Sequence, residues 1–528
     1  METTANNILI HRFVASAELF HFRPAIDLNG QLFTYRELLE QSAKIANAIL
    51  DCNPESQAPV GILASKSYTA YSGILGALMA SKAYMPLNPR FPVHRNAWQL
   101  EKSGCNTIIA GREGLEHLKA LIKTSRQMLF IILPDISPEE QLQFEQDKHT
   151  VFFAGDLNNT SLPLIKSQPE QMAYLLFTSG TTGQPKGVPV NNENITSYLD
   201  YILKRFDLNE KDRFSQTFDL TFDLSMHDLF VSWLSGGCLC IPSADATFAM
   251  SKYIRDQRLT VWFSVPSVAV MMSKMHLLRA GNFENLKYSF FCGEPLLEKT
   301  ASAWQKAAPD STVINLYGPT ETTIAISAYE WKQDIKENKV KNGIVSIGKI
   351  FETQDYCIAD DQDRILGTEK KGFLHLSGSQ VISGYFRDEE NTKKYFKSLN
   401  KNNNDWWYNT GDLVTGDNEH DLFFLGRQDN EVKISGYRVN LLEIDEIIRK
   451  ATRSEVVATV DCEHDGGETK TLVSFIEKTE DVLSEEKIME FCRKHLPWYM
   501  LPGKIIIMES LPLNENGKID RKRLSEML

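Results

Sequence analysis

Residues Phe177 to Pro189 read FTSGTTGQPKGVP, a stretch whose residue types could hold phosphate. Thr178, Ser179, Thr181 and Thr182 supply hydroxyl donors, Gly180, Gly183 and Gly187 open backbone angles closed to other residues, and Lys186 adds a point charge. Such a loop suits a polyphosphate. It is not the P-loop of nucleotide triphosphatases, whose Gly-Lys is followed by Ser or Thr, because Lys186 precedes Gly187. The apolar run from Ala173 to Leu176 lies directly ahead, and a surface linker rarely concentrates hydroxyls, glycines and one lysine behind a strand-like run.

The elements that position this loop read as an α/β chain. Pro59 to Leu63, Asn106 to Ala110 and Leu129 to Leu133 are buried-strand patterns, and Ala70 to Ala83 between the first two predicts a helix. This alternation predicts sheets covered by helices. After Leu422 to Leu425 comes a polar break at Gly426 to Asn430, then a new apolar pattern, so we expect a large domain over residues 1–427 and a small α+β domain over 428–528.

Composition bounds the function. A chain of 528 residues exceeds what one core organises, and 42% apolar with 10% aromatic content fits a fully globular protein of enzyme size rather than a disordered one. The net charge of −12 argues against nucleic acid, whose phosphates are held chiefly by Lys and Arg. The start, METTANNILIHRF, has no basic segment leading an apolar one, and no run is long enough to span a bilayer, so a cytoplasmic protein without membrane association is expected. Eight cysteines without a CxxC pair indicate neither a zinc site nor a disulfide framework.

Further motifs follow in order: Asn315 to Thr323 (NLYGPTETT), Tyr408 to Leu413 (YNTGDL), Gly426 to Asp429 (GRQD), Val432 to Arg438 (VKISGYR), Leu496 to Pro502 (LPWYMLP) and Asn516-Gly517-Lys518. Early pieces agree, namely Phe33 to Leu38 (FTYREL) and Ala83 to Pro89 (AYMPLNP). Together with SGTTGQPKG these resemble the AMP-forming adenylating superfamily: acyl-CoA synthetases, luciferases and the adenylation domains of non-ribosomal peptide synthetases. One motif would be weak; the whole ordered series, covering nearly the full chain, is specific.

That resemblance implies a carboxylate activated by ATP with Mg²⁺, pyrophosphate leaving while negative charge builds on a phosphorus centre that fixed cations and donors must absorb. It assigns Lys518 to bridging carboxylate and phosphate, with Thr320 and Lys433 also catalytic. The Asn-Gly before Lys518 favours a tight turn that can present it. Nucleotide contacts would come from Thr178, Ser179, Gly180, Thr181, Thr182, Gly183 and Lys186, then Gly293, Glu294, Asn315 and Gly318. Tyr317 would stack on adenine, Asp412 would accept from both ribose hydroxyls with Arg427 assisting, and Glu321 would bind the magnesium.

Substrate choice rests on Thr221 to Phe230. In amino-acid-activating members the aspartate of an FDxS segment pairs with the substrate ammonium, and Asp223 matches it, although Phe218 to Thr221 is a near copy that leaves the register open. An unpaired buried carboxylate is costly, so it selects an amine. The side-chain pocket would be lined by Leu224, His227, Ser264, Phe290, Cys292, Leu316, Ile324 and Ala325, which implies a small or medium, largely apolar amino acid, proline first and alanine second. His227 would either bond a polar substrate atom or fill the pocket as an aromatic.

No carrier-domain serine motif lies in the few residues after Lys518, so the enzyme would load the phosphopantetheine thiol of a separate carrier protein. A hinge at Asp429 would withdraw Lys518 and bring Val432 to Arg438 to the site. Two positions depart from the family: Phe373 replaces a usual glutamate, and Ser81-Lys82 replaces a double glycine. The competing readings are an acyl- or aryl-CoA ligase and a catalytically idle nucleotide-binding protein. The latter would be marked by loss of Lys186, Glu321, Asp412 or Lys518, and all are present.

Overall fold

The computed structural model describes residues 8–125, 127–137, 148–178, 185–242, 250–399, 406–427, 431–452, 454, 456–464, 469–478, 483–512 and 519–528. The expected alternation forms two large sheets. In one, seven strands run in the order Thr150–Phe153, Phe130–Leu133, Thr107–Ala110, Val60–Leu63, Tyr84–Leu87, Met172–Thr178 and Lys186–Asn191. All are parallel except the last pair. Val60–Leu63 and Thr107–Ala110 are buried at every position, which is why their sequences read as continuous apolar runs.

The second sheet has nine strands, with a parallel run from Thr312–Tyr317 through Tyr288–Phe291, Val261–Ser264, Arg213–Ser215 and Cys238–Ile241 to Pro24–Leu28. One hydrophobic cluster joins side chains of both sheets to the helices Tyr35–Cys52, Tyr68–Met79 and Leu224–Leu234. The helix Tyr68–Met79 is buried on all sides. A Cβ on its Gly76 would lie 2.7 Å from Ile45 Cγ2, so glycine is what lets the two helices approach.

The helix expected over 70–83 is displaced. Ser67 caps its start by accepting from Ala70 N at 3.2 Å, and it ends at Met79. Ser81 then takes a left-handed φ of 58°, and Lys82 Nζ donates to the carbonyls of Pro54 and Ser56. Those contacts turn the chain into the strand Tyr84–Leu87.

A third, six-stranded sheet carries Gly372–Gly378, Trp407–Gly416 and Leu422–Arg427, which pair antiparallel. Beyond it, the hairpin Glu431–Ile434/Tyr437–Asn440 pairs only with itself. The strands Val457–His464, Thr469–Glu477 and Lys504–Met508 make a separate sheet. Their core spans Ile434 to Ile505 and takes in Phe91 from the first part of the chain. All eight cysteines are free thiols. Among the described residues no helix is long and apolar enough to cross a membrane.

Candidate active site

The phosphate-type loop is the connection between two paired strands. Met172–Thr178 runs antiparallel to Lys186–Asn191 with Thr178 opposite Lys186, so the loop leaves and re-enters the sheet at one edge. Ser179, Gly180, Thr181, Thr182 and Gly183 lie outside the described residues, as do Asp429 and Lys518. Lys186 is 1% exposed, with Nζ over the rings of Tyr385 and Tyr395 at 4.9 and 4.6 Å and 3.8 Å from Glu431. Burial, then Arg438, pull its pKa down.

Glu321 sits on a single turn, Thr320–Thr322, just after the strand Thr312–Tyr317. Its fully buried carboxylate accepts from Arg438 Nη1 at 3.0 Å on both oxygens and from the Tyr385 hydroxyl at 2.7 Å. Burial opposes its ionisation, but Arg438, Lys186 and Tyr385 outweigh that and hold the pKa at about 2. Glu431 is the second carboxylate of this cluster, bonded to Arg427 Nη2 at 2.9 Å and to Arg438 Nε. Acids and bases thus alternate through a region closed to water, where pairing is what makes burial tolerable.

Asp412 and Arg427 face each other across the strands Trp407–Gly416 and Leu422–Arg427. Arg427 Nη1 donates to Asp412 Oδ1 at 2.6 Å, and the Tyr317 hydroxyl donates to Oδ2 at 2.5 Å. Tyr317, Asn315, Gly318, Gly293 and Arg427 all line one cleft of about 610 Å³ together with Lys433. The Asn315 amide is committed to the Ser346 carbonyl at 2.9 Å. A Cβ on Gly318 would lie 2.6 Å from Ala325 Cα, so the NLYGPTE turn needs glycine there. Glu294 accepts from Ser267 N at 2.9 Å and from Gly436 N at 2.7 Å, which ties the Glu431–Asn440 hairpin to the cleft wall.

The two copies of Phe-Asp-Leu differ in their hydrogen bonding. Asp219 is consumed locally: Oδ1 accepts from Thr221 N and Oγ1 at 2.9 and 2.5 Å, and Oδ2 from Asn88 Nδ2 at 2.6 Å. Asp223 stands instead at the start of the helix Leu224–Leu234, 4% exposed, without a side-chain cap bond. Burial raises its pKa to about 7, opposed by the Thr320 hydroxyl and aided by Glu321; Lys433 pulls it down.

Leu224, Phe290, Cys292, Leu316, Ile324 and Ala325 belong to one buried cluster. His227 is fully buried with its ring 4.6 Å from that of Phe263 and 5.2 Å from that of Phe290. Ser264 does not join them. Its Oγ accepts from Trp262 Nε1 at 3.0 Å and donates to the Val265 carbonyl at 3.1 Å, and Trp262 packs in the cluster on the other face. Side chains alternate along a strand, so Phe263, paired with Phe290, faces the cluster that holds the other expected pocket residues while Ser264 faces away.

Phe263, Glu431, Tyr385 and Gln380 also stand around these side chains without having been singled out from the sequence, and Arg438 was named there without a role of its own. Strand parity against Phe290 was the available signal for Phe263. The others carry none, since each meets the site through long-range packing. Gln380 is fully buried and its Nε2 donates to the carbonyls of Thr322, Thr323 and Ala325 at 3.3, 3.4 and 2.7 Å. It braces Thr323 and Ile324, which have φ of 58° and 72°. Such conformations cost L-residues about 1–3 kcal/mol each and persist where the surroundings enforce them.

With fold and cleft described, the class follows: the model of the family "AMP-binding enzyme" matches residues 13–386, and the chain belongs to that family. It is 28% identical over 510 residues to a D-alanine–D-alanyl carrier protein ligase of Lacticaseibacillus casei, covering 95% of each chain. It is also 29% identical over 509 residues to tyrocidine synthase 3 of Brevibacillus parabrevis, covering 95% of this chain but only 7% of that protein. Its structure resembles the Vibrio cholerae adenylation domain AlmE in complex with glycyl-adenosine-5'-phosphate, with a TM-score of 0.88, 31% identity and coverage of 98% and 97%.

Proposed function

We propose that this AMP-binding enzyme activates a small amino acid as its adenylate and passes it to the phosphopantetheine thiol of a separate carrier protein. The observation that carries this reading is Asp223, a buried carboxylate with raised pKa on a helix end beside Glu321 and Thr320. An ammonium group supplies the charge partner that burial otherwise denies it. In the first step a substrate carboxylate oxygen bonds to the α-phosphorus of ATP, the bond to the β-phosphate bridging oxygen breaks, and pyrophosphate leaves. In the second, the thiol sulfur attacks the acyl carbon, loses its proton, and AMP leaves.

Arg427, Asp412 and Tyr317 form the proposed ribose and base end of the cleft, and Lys186 and the 178–183 loop the phosphate end. Glu321, ionised down to about pH 2, is the hard oxygen donor suited to Mg²⁺. Bound there, the ion would neutralise charge on the phosphates. Residues 1–427 and 428–528 act as the two domains of this reading, with Asp429 as hinge and Lys518 and Lys433 alternating at the reacting carboxyl. Tight packing of the His227, Phe263 and Phe290 rings favours alanine or glycine over the proline that sequence matching put first. Similarity to a D-alanine–D-alanyl carrier protein ligase and to an adenylation domain bound to glycyl-adenosine-5'-phosphate supports a small substrate.

Amino-acid-dependent exchange of labelled pyrophosphate into ATP, followed by mass analysis of a phosphopantetheinylated carrier protein, tests the reading. Alanine or glycine should drive exchange and add its own mass to the carrier. Exchange driven only by an acid lacking an amine, with consumption of free coenzyme A, would overturn it.

A further inference from the structure

Resting on that reading, we propose that Tyr198 is a positioning residue that sets the upper size of the accepted side chain by holding the His227 imidazole in the pocket. Tyr198 lies on the helix Asn192–Arg205, outside the segments matched to substrate binding, and is fully buried. Its hydroxyl is 2.7 Å from His227 Nδ1. His227 follows Asp223 by four residues on one helix, so the two side chains share a face, one turn apart. The imidazole is thus one turn deeper than the proposed ammonium contact, where a substrate side chain would extend.

Around it the rings interlock. Phe263 and Phe290 flank the imidazole, Phe206 packs edge-on against Phe290 at 5.0 Å, and Tyr198 meets His227 at 6.0 Å between centroids. Burial pushes the His227 pKa down to about 3, so the ring is neutral, and only the tyrosine anchors it by a hydrogen bond among the described residues. Burial pushes the Tyr198 pKa well up, so its hydroxyl keeps the proton it donates to a neutral imidazole. Without that hydroxyl the imidazole can rotate about its side-chain bonds, and the volume it defends opens.

The test is pyrophosphate exchange over glycine, alanine, valine, proline, leucine and phenylalanine, with KM and kcat separated. For Tyr198→Phe the KM for alanine should rise about tenfold at nearly constant kcat, as loss of a neutral hydrogen bond allows. The kcat/KM ratio of valine or proline over alanine should rise by a similar factor. His227→Ala should shift the ratio the same way, the double variant should add little, and His227→Phe in the Tyr198→Phe background should restore small-residue preference, since phenylalanine needs no hydroxyl anchor. A uniform loss for every amino acid, an unchanged ranking, or full additivity overturns the proposal. If Tyr198→Phe does not fold, an unchanged ranking in His227→Ala overturns it equally. Absence of exchange with any amino acid in the wild type instead removes the adenylation reading itself.

Discussion

Arg438 lies across the carboxylate of Glu321, its Nη1 3.0 Å from each oxygen, while its Nε bonds Glu431. The hairpin that brings Arg438 there also places Glu431 3.8 Å from Lys186. In this arrangement the C-terminal hairpin sets Arg438 on the carboxylate proposed for magnesium and Glu431 near the lysine proposed for phosphate. On the proposed reading, magnesium nucleotide would bind there once these pairs separate.

Arg438→Ala should accordingly divide the two half-reactions. Pyrophosphate exchange should persist within about threefold of wild type, whereas loading of the carrier thiol should fall at least tenfold, because one partner of a buried pair is worth about 2 kcal/mol or more. Parallel assays of exchange and carrier loading measure this; equal losses in both would show that Arg438 serves the fold rather than the arrangement.

The pH dependence follows from Asp223. Its pKa rises from an ordinary 3.8 to about 7 in the free protein, chiefly through burial, so the folded state holds a proton that the unfolded chain has released. Stability is therefore lost as pH rises from about 4 to 7 and is level above 7. Asp223→Asn should raise the melting temperature at pH 8 and leave it unchanged at pH 4. In wild type, kcat/KM for the amino acid should climb about tenfold per pH unit below 7 and flatten above it. A profile flat from pH 5.5 to 8 would refute the assignment.

Gln380→Ala removes the brace on Thr323 and Ile324 and leaves a buried carbonyl of Ala325 without its 2.7 Å donor. We expect a stability loss of about 1–3 kcal/mol. Because Ile324 and Ala325 stand in the proposed pocket wall, the KM for the amino acid should rise more than that for ATP. Denaturant unfolding and steady-state kinetics check this, and equal changes in both KM values would count against the brace.

Arg95 and Glu443 form a buried pair at 2.8 Å between the helix Val93–Ser103 and the helix Leu441–Thr452 of the C-terminal part. Arg95→Ala should destabilise by about 3–5 kcal/mol because Glu443 is left buried without its charge partner, and the Arg95→Met/Glu443→Leu double variant should recover most of it. A thermal or denaturant double-mutant cycle settles the sign of the coupling.

Much of this protein was legible in one dimension. The strands Val60–Leu63, Thr107–Ala110 and Phe130–Leu133 were readable because they are buried at all or nearly all positions, which makes their sequences almost continuously apolar. Lys186, Glu321, Asp412 and Arg427 could be singled out because the motifs that carry them are local, each lying within a few residues; the roles proposed for them rest on the family resemblance. Tertiary structure alone decided the rest. It spent Asp219 on Thr221 and Asn88 and left Asp223 uncapped, turned Phe263 rather than Ser264 toward Phe290, and set Arg438 against Glu321 and Tyr198 against His227. These relations join residues far apart in the chain or depend on strand parity, and they arise only when the sheets and the C-terminal hairpin pack.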